Sequence, residues 1–147
     1  MPSPIGWIHI HEQGGHICAL NWSDRPAPDF GSDVLDDASA QLAAYFDHRL
    51  ERFDLPMSCP STPFQHGVFE AMLSIPFGAT RSYGEIGAYV DGSPQAVGRA
   101  CGANPIPILI PCHRVVGATN LGGFSGSGGV ETKVWLLRHE GAAGLLL

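Results

Sequence analysis

The segment at residues 108–115 contains the side chains of this chain that are best suited to chemistry. A run of aliphatic residues leads through Pro111 to Cys112, and His113 and Arg114 follow directly. We expect the aliphatic run to be buried and the Cys112 thiol to lie at the floor of a pocket. Burial among apolar neighbours alone would raise the pKa of the thiol and leave it inert. A polar network beside the sulfur would instead make it a nucleophile.

Composition limits the classes to which this protein could belong. Its 147 residues, 44% of them hydrophobic, suffice for one ordinary domain or two small lobes with a core. No apolar run approaches the roughly 18 residues of a membrane span. The N-terminal residues 1–4 lack the basic and apolar regions of a signal peptide. We therefore expect a cytoplasmic protein without a membrane partner, whose four cysteines are free thiols.

Charge is distributed unevenly along the chain. Residues 1–60 carry three basic and nine acidic side chains, a balance of −6, whereas residues 61–147 carry five of each, so the first part accounts for the whole net charge of −6. A nucleic-acid surface in the second part is compatible with this distribution. Because that part has no excess of positive charge, its affinity for nucleic acid is expected to be modest and sensitive to salt.

The first part of the chain predicts a small lobe of strands and one helix. Residues 7–11 and 16–20 alternate as two strands around a glycine turn. After a loop, Asp33 is the expected N-cap of a helix. Apolar residues recur in that helix at helical spacing: Leu35, Leu42, Tyr45, Phe46 and Leu50. Residues 53–55 are expected to add a third strand, before a stretch rich in Ser, Thr and Pro that resembles a linker.

The second part predicts a series of short helices. Ser61 or Thr62 is the expected cap of a helix with an apolar inner face, formed by Phe64, Val68, Phe69, Met72 and Leu73. Ser82 is expected to cap a helix over residues 83–90, and a turn leads to another helix over residues 95–103. Two short helices across a tight turn are a helix-turn-helix candidate. A glycine-rich loop over residues 117–129 and a last helix over residues 133–139 complete the chain.

The second helix of this candidate pair has an unusual composition for base recognition. Its residues are mostly small or apolar, namely Ala96, Val97, Gly98, Ala100 and Gly102. Base reading in the major groove uses Arg, Asn or Gln. The helix is therefore better suited to a close approach to DNA that is indifferent to sequence.

These segments, in this order, resemble the O6-alkylguanine-DNA alkyltransferases, the family of methylated-DNA–protein-cysteine methyltransferases. The resemblance covers residues 62–141. Its motifs are Ser82-Tyr83-Gly84-Glu85-Ile86, Ala96-Val97-Gly98, residues 104–116 around Pro111-Cys112-His113-Arg114, Gly122-Gly123-Phe124-Ser125-Gly126, and residues 133–141.

The resemblance implies an α+β fold in two parts. A small ribonuclease-H-like lobe, with a three-stranded antiparallel sheet and a helix, is expected over residues 1–57. A linker follows at residues 58–62. A mainly helical domain with a helix-turn-helix, which binds DNA and carries the active site, is expected over residues 63–147.

The resemblance also implies a reaction. The thiolate of Cys112 attacks the alkyl carbon on O6 of a guanine in DNA, and the departing guanine receives a proton. In the family a water links the thiol to a histidine, which a glutamate holds; these positions match His113 and Glu140. Asn104 matches the asparagine that braces the turn beside the cysteine. Because the thioether is stable, each molecule is expected to act once and to need no cofactor. Activity on O4 of thymine is left open.

The implied partner is double-stranded DNA that contains O6-alkylguanine, bound through the minor groove by a monomer. The damaged base must leave the stack, because O6 lies inside the duplex. Tyr83 matches the tyrosine that crowds the target phosphate and donates toward the base, and Ser125 and the backbone around Val115 match groups that hold the extruded base. The expected contacts to DNA and base are Ser82, Tyr83, Gln95, Ala96, Arg99, Arg114, Val115, Gly122, Phe124 and Ser125.

One position departs from the family pattern. Most members carry an arginine directly before Ala-Val-Gly, where it fills the space that the extruded guanine leaves; here the residue is Gln95. Glutamine can hydrogen-bond the orphaned cytosine but lacks the charge and the flat guanidinium face. We therefore expect slower repair in duplex DNA, with less loss on free O6-benzylguanine. Arg99, one helical turn later, could reach a phosphate.

Two other groups of residues have both a structural and a functional interpretation. His9, His11, His16 and Cys18 share the first hairpin and could hold zinc, as some family members do in this lobe. The paired cysteines of those members are missing, so no metal is expected. Cys101 lies near the expected DNA face; it is either a small packing residue or a second alkyl acceptor.

Two other classes of function compete with alkyl transfer. A lesion-binding relative of the alkyltransferases would recognise damage with weak or no transfer, which Gln95 favours and Cys112 argues against. A multiple-turnover cysteine hydrolase would use Cys112 and His113 in direct contact. Neighbours on a strand-like segment point to opposite sides, which disfavours that contact and favours a relay through water.

Overall fold

The computed structural model describes residues 1–27, 31–124, 126 and 128–142. They form two compact units, Met1–Pro60 and a second unit that begins at Ser61. A hairpin and helices make up this fold, and the expected α+β class is confirmed. None of the helices in these described residues has the length and apolar character that crossing a membrane requires.

The first unit is a hairpin covered by one helix. Strands β1 (Trp7–Gln13) and β2 (His16–Ser23) pair antiparallel, as predicted. The turn between them is Gly14-Gly15, with φ of +60° and +81°, which is the backbone that a two-residue hairpin loop requires. Helix α1 (Asp33–Phe46) packs on the hairpin. The buried residues of this unit are Ile8, Ile17, Leu20, Ala38, Leu42 and Tyr45.

The predicted third antiparallel strand at residues 53–55 is wrong. Both backbone groups of Asp54 are taken by the amide of Gln41, which donates to the Asp54 carbonyl and accepts from its N–H, each at 2.9 Å. They are therefore unavailable to a ladder. The chain instead meets β2 one turn later, through a single parallel bridge between Met57 and Ile17. Among the described residues the sheet of this unit thus has two strands.

The limits of α1 also differ from the prediction. The N-cap is Ser32 and not Asp33, because the Ser32 side chain accepts from the backbone N–H of Leu35 at 3.3 Å. Asp33 lies in the first turn, where its charge complements the helix dipole. The helix ends at Phe46, before Leu50, and His48 then adopts a φ of +60°.

The second unit contains the remaining elements. In chain order they are α2 (Pro63–Leu73), β3 (Arg81–Ser82), α3 (Tyr83–Val90), α4 (Pro94–Gly102), a 3-10 helix (Cys112–Arg114), β4 (Val115–Val116) and α5 (Val130–His139). Thr62 and Gln65 form a capping box at the start of α2, and Ser82 and Glu85 form another at the start of α3. Leu73, which was expected to face inward, is 41% exposed. Strands β3 and β4 pair in parallel, so the start of α3 lies beside the end of the reactive segment.

Helices α3 and α4 form the predicted pair across a tight turn. The turn begins at Asp91, whose φ is +59°, and Ser93 caps α4. The two helices pack closely at Gly87, where an added Cβ would lie 2.5 Å from the carbonyl oxygen of Gly92. No larger residue fits there without a shift of the backbone, so the sequence fixes how α4 leaves α3.

Candidate active site

The aliphatic run before the reactive cysteine is buried, as predicted. Ile106, Ile108, Leu109 and Ile110 are each at most 4% exposed, and Cys112 is 5% exposed. The strand-like conformation expected at the cysteine is wrong, because Cys112 opens a 3-10 helix.

Pro111 sets the direction in which the chain enters that helix. With φ of −81° and ψ of 66° it forms an inverse γ-turn, in which the N–H of Cys112 donates to the carbonyl of Ile110 at 2.8 Å. Proline suits this position because its ring already holds φ near this value. The turn fixes the Cys112 backbone before its side chain begins.

Asn104 closes the loop that carries the aliphatic run. Its Nδ2 donates to the carbonyl of Ile110 at 2.9 Å, and its Oδ1 accepts from the N–H of Ile106 at 3.0 Å. Within the loop Ile108 has a φ of +72°, a left-handed conformation that is strained for a β-branched residue. The two Asn104 hydrogen bonds and the burial of Ile108 hold this backbone in place. Asn104 therefore braces the turn, as expected.

A buried network joins the 3-10 helix to the end of α5. Nε2 of His113 donates to Oε2 of Glu140 at 2.8 Å. Arg114 donates to the same carboxylate from Nε at 2.8 Å and from Nη2 at 3.0 Å, and to the carbonyl of Ile75 from Nη1 at 2.7 Å. The expectation that Arg114 contacts DNA is corrected here: its side chain is 8% exposed, and its guanidinium is engaged by Glu140 and Ile75.

The second ring nitrogen of His113 is a free polar atom. Nδ1 is buried and has no hydrogen-bond partner within the described part of the chain. Because Nε2 donates to Glu140, the neutral ring carries its lone pair on Nδ1. His113 directly follows the cysteine, so a proton acceptor stands beside the thiol.

The pKa values of these groups fit a resting state with a protonated thiol and a neutral base. Burial raises the pKa of the Cys112 thiol, although a hydrogen bond from Asn104 and the charge of Lys133 oppose the rise. Burial also lowers the pKa of His113, against the pull of Glu140. For Glu140 burial alone would raise the pKa, but the hydrogen bonds and charges of His113 and Arg114 lower it to about 2. Reaction of the thiol therefore requires a base, and His113 is available in its basic form.

A cavity of about 360 Å³ opens onto the cysteine. It is bounded by the start of α3, one face of α4 and the glycine-rich loop. The lining residues are Tyr83, Gly98, Cys101, Gly102, Cys112, Gly123 and Phe124. Expected site residues from three separate segments thus meet around one thiol. The volume lies within the range of small-molecule sites and is large enough for a purine base.

Tyr83 forms one wall of this cavity and is fixed by Gly122. An added Cβ at Gly122 would lie 2.5 Å from the Tyr83 hydroxyl, and the φ of Gly122 is +71°, so only glycine fits. Burial raises the pKa of Tyr83, and a hydrogen bond with the Gly123 backbone opposes the rise only in part. The hydroxyl therefore stays protonated at neutral pH and can donate.

Lys133 is a functional candidate that the sequence interpretation does not identify. It is fully buried, and its Nζ donates to the carbonyls of Val115 at 2.6 Å and Gly123 at 3.0 Å. The ammonium lies 5.7 Å from the centre of the Tyr83 ring. Burial lowers the pKa of Lys133 to about 8. The available signal was its spacing, because Lys133 precedes Leu136 and Leu137 by three and four positions on the buried face of α5.

The other expected contacts divide into exposed and internal residues. Gln95 and Arg99 are exposed on α4, with Ala96 half-buried between them. The Ser82 hydroxyl caps α3, accepting from the N–H of Glu85 at 3.0 Å. Val115 is buried, and its carbonyl already accepts from Lys133. Phe124 lines the cavity, whereas Ser125 lies outside the described residues.

The histidines of the first hairpin have hydrogen-bond partners of their own. Nε2 of His9 contacts the carbonyl of Arg25 at 2.8 Å, and Nδ1 of His16 contacts that of Gly14 at 3.2 Å. Nε2 of His11 lies 3.4 Å from Oδ1 of Asn21. Within residues 1–27, 31–124, 126 and 128–142, no three His, Cys, Asp or Glu side chains are grouped so that they could hold a metal ion.

Two family models match the chain and together cover most of it. The model described as the ribonuclease-like domain of 6-O-methylguanine DNA methyltransferase matches residues 1–59. The model described as the DNA binding domain of the same protein matches residues 63–142.

Relatives and solved structures agree with these matches. The methylated-DNA–protein-cysteine methyltransferase of Mycobacterium bovis is 40% identical, over 94% of this chain and 88% of that protein. The constitutive enzyme of the same name from Bacillus subtilis is 39% identical, over 94% of this chain and 91% of its own length. The crystal structure of Mycobacterium tuberculosis OGT in complex with DNA superposes with a TM-score of 0.85 at 39% identity, covering 96% of this chain and 90% of that one. With both domains matched, this chain belongs to the 6-O-methylguanine DNA methyltransferase family.

Proposed function

We propose that this protein repairs DNA by moving an alkyl group from O6 of guanine to Cys112, once per molecule. The observation that carries the proposal is the buried Cys112 thiol at a base-sized cavity, next to a histidine whose Nδ1 is free and whose Nε2 is held by Glu140. Relatives with the corresponding name support the reaction class.

The proposed step is a single displacement. As the alkyl carbon bonds to the Cys112 sulfur, its bond to O6 breaks and the electron pair of that bond stays with the guanine. The thiol proton passes to His113 at Nδ1, by way of a water. The departing guanine gains a proton and leaves as the normal base. Tyr83, protonated at the cavity wall, is suited to donate toward the base as negative charge develops on it.

Delivery of the base is assigned to α4. Its exposed face carries Gln95 and Arg99, and the inner face at Gly98 and Gly102 borders the cavity. Small residues there allow the helix to approach DNA closely, and the proposed side of approach is the minor groove. The base must be extruded from the duplex at a cost of about a few kcal/mol before it reaches the thiol.

Cys101 is not proposed as an acceptor, although it borders the same cavity. Burial, followed by the charge of Cys112, raises the pKa of its thiol to about 12. Its Sγ lies 3.7 Å from Sδ of Met72, within the apolar interior. A thiol that stays protonated is a poor nucleophile, so Cys101 is interpreted as a packing residue.

Incubation with an excess of duplex DNA containing labelled O6-methylguanine tests the proposal. Transfer should stop at one methyl group per protein molecule, and Cys112→Ala should abolish it while Cys101→Ala leaves it intact. Continued release of product would indicate a hydrolase. Binding of the lesion without any transfer would indicate a lesion-binding protein.

A further inference from the structure

Arg114 makes contacts that the proposed displacement does not use. Its guanidinium grips Glu140 with two nitrogens and the carbonyl of Ile75 with the third. A paired contact of this kind fixes the plane of the carboxylate as well as its position. Because Arg114 directly follows His113, two consecutive residues hold the same carboxylate. The contact to Ile75 in turn anchors the guanidinium to the loop after α2.

One carboxylate oxygen is shared between the two donors. Oε2 of Glu140 accepts from Nε2 of His113 at 2.8 Å and from Nη2 of Arg114 at 3.0 Å. Arginine stays charged at any pH at which the protein is folded, so it offsets the carboxylate charge permanently. Without that offset, a buried carboxylate would stabilise the imidazolium form of His113. Imidazolium has no lone pair and could not accept the thiol proton.

We propose that Arg114 is a positioning residue for alkyl transfer. It locks Glu140 against Nε2 of His113 and offsets the charge of that carboxylate, so that His113 remains neutral with its lone pair on Nδ1. This inference rests on the proposed function, which makes Nδ1 the acceptor of the Cys112 proton.

The charged and titratable groups around His113 come from the 3-10 helix and from α5. Arg114 and Cys112 are its neighbours in the 3-10 helix, Lys133 lies on the buried face of α5, and Glu140 follows the end of α5. Burial is the main cause that lowers the pKa of His113; Glu140 raises it, and Arg114 and Lys133 lower it. Removing Arg114 therefore raises that pKa, by the loss of one cation and by the release of the carboxylate.

The test is the pH dependence of single-turnover alkylation of Cys112 by free O6-benzylguanine, which needs no DNA contact. Arg114→Met should shift the acidic limb of the rate profile upward by about one pH unit or more, since a carboxylate close to a histidine shifts it by that amount. The rate at neutral pH should fall about tenfold and recover as the pH rises. Arg114→Lys retains the charge and should keep the limb close to that of the wild type. The matched control is Arg49→Met, which removes an arginine paired with Asp47 on the surface.

A second variant covers the possibility that Arg114→Met does not fold. The double variant Arg114→Met/Glu140→Gln removes the buried carboxylate together with its cation, so no uncompensated charge remains. With no carboxylate to stabilise imidazolium, the pKa of His113 should lie at or below the wild-type value. Nitrogen-15 NMR of the His113 ring measures this pKa and the tautomer directly, without reference to alkylation.

The outcomes separate this inference from the proposed function. A lower rate in Arg114→Met with an unmoved acidic limb would mean that Arg114 only supports the fold, and would overturn the inference. A double variant whose His113 titrates above the wild type would also overturn it. If the wild type forms no Cys112 adduct, the proposed function fails, and the NMR titration still decides what Arg114 does to His113.

Discussion

Nε2 of His113 and Oε2 of Glu140 lie 2.8 Å apart, and neither side chain is exposed to solvent. The two residues are 27 positions apart in the chain, so this contact joins the reactive 3-10 helix to the end of α5. It settles which nitrogen of His113 is free. It also ties the chemistry of the site to the stability of the unit, because the same carboxylate holds Arg114.

Glu140 should make the stability of the protein depend on acid. Its pKa is about 2 in the folded protein, against an ordinary value of 4.5. A lowered carboxyl pKa contributes stability above the unfolded value, and this contribution disappears as the pH falls from about 4.5 to about 2. The free energy of unfolding of the wild type should therefore drop relative to that of Glu140→Gln across this window, as urea titrations at several pH values would measure. Glu70→Gln, at an exposed ion pair, is the control and should show no such drop. A wild-type advantage over Glu140→Gln that is constant with pH would contradict the assignment.

Asn104→Ala should weaken both the loop and the nucleophile. The substitution leaves the carbonyl of Ile110 and the N–H of Ile106 without their side-chain partner, which costs about 1–3 kcal/mol for a buried group. It also removes a hydrogen bond that lowers the pKa of Cys112, so alkylation should slow. Chemical denaturation and the rate with free O6-benzylguanine measure the two effects. Asn21→Ala, at an exposed position of β2, should change neither. An unchanged alkylation rate in folded Asn104→Ala would refute its role at the thiol.

Lys133 should titrate near neutral pH. It is the only lysine of the chain, so the nitrogen-15 resonance of its ammonium group is unique. We expect a midpoint of about 8, because burial disfavours the charged form. Since the folded pKa lies below the unfolded one, the wild type should also gain stability relative to Lys133→Met as the pH rises from about 8 to 10.5. A midpoint at the ordinary lysine value would show that the ammonium is hydrated and not held beneath Tyr83.

Gln95→Arg should speed repair in duplex DNA and leave the reaction with free O6-benzylguanine unchanged. Gln95 is exposed in the first turn of α4 and does not line the cavity, so it acts on delivery and not on chemistry. Arginine adds charge and a flat face for the space that the extruded base leaves. The comparison is made at fixed ionic strength, with Gln13→Arg as a control for added charge, because charge alone raises affinity for DNA. Equal acceleration by both variants, or none by Gln95→Arg, would sink the idea.

Local patterns in the sequence predicted much of the site. The aliphatic run up to Pro111 indicated burial, and the caps at Ser82 and Thr62 follow from short-range hydrogen bonds between residues three apart. The helix pair around the Asp91 turn was predictable for the same reason. Each of these features depends on neighbours in the chain, which a single sequence displays.

Contacts between distant residues could not be predicted in the same way. Gln41 captures the backbone of Asp54 across 13 positions, which removes the expected third strand. Arg114 reaches Ile75 and Glu140, and nothing in its immediate sequence distinguishes this role from a contact to phosphate. A buried arginine or lysine is uncommon unless it is paired, and the partners become visible only in three dimensions.

The most direct test of the account is the location of the transferred group. After reaction with duplex DNA containing O6-methylguanine, the protein is digested and its cysteine peptides are examined by tandem mass spectrometry. The account predicts one methyl group per molecule, on the sulfur of Cys112, with Cys18, Cys59 and Cys101 unmodified. Methylation of Cys101, or repaired DNA with no methyl group on Cys112, would contradict it.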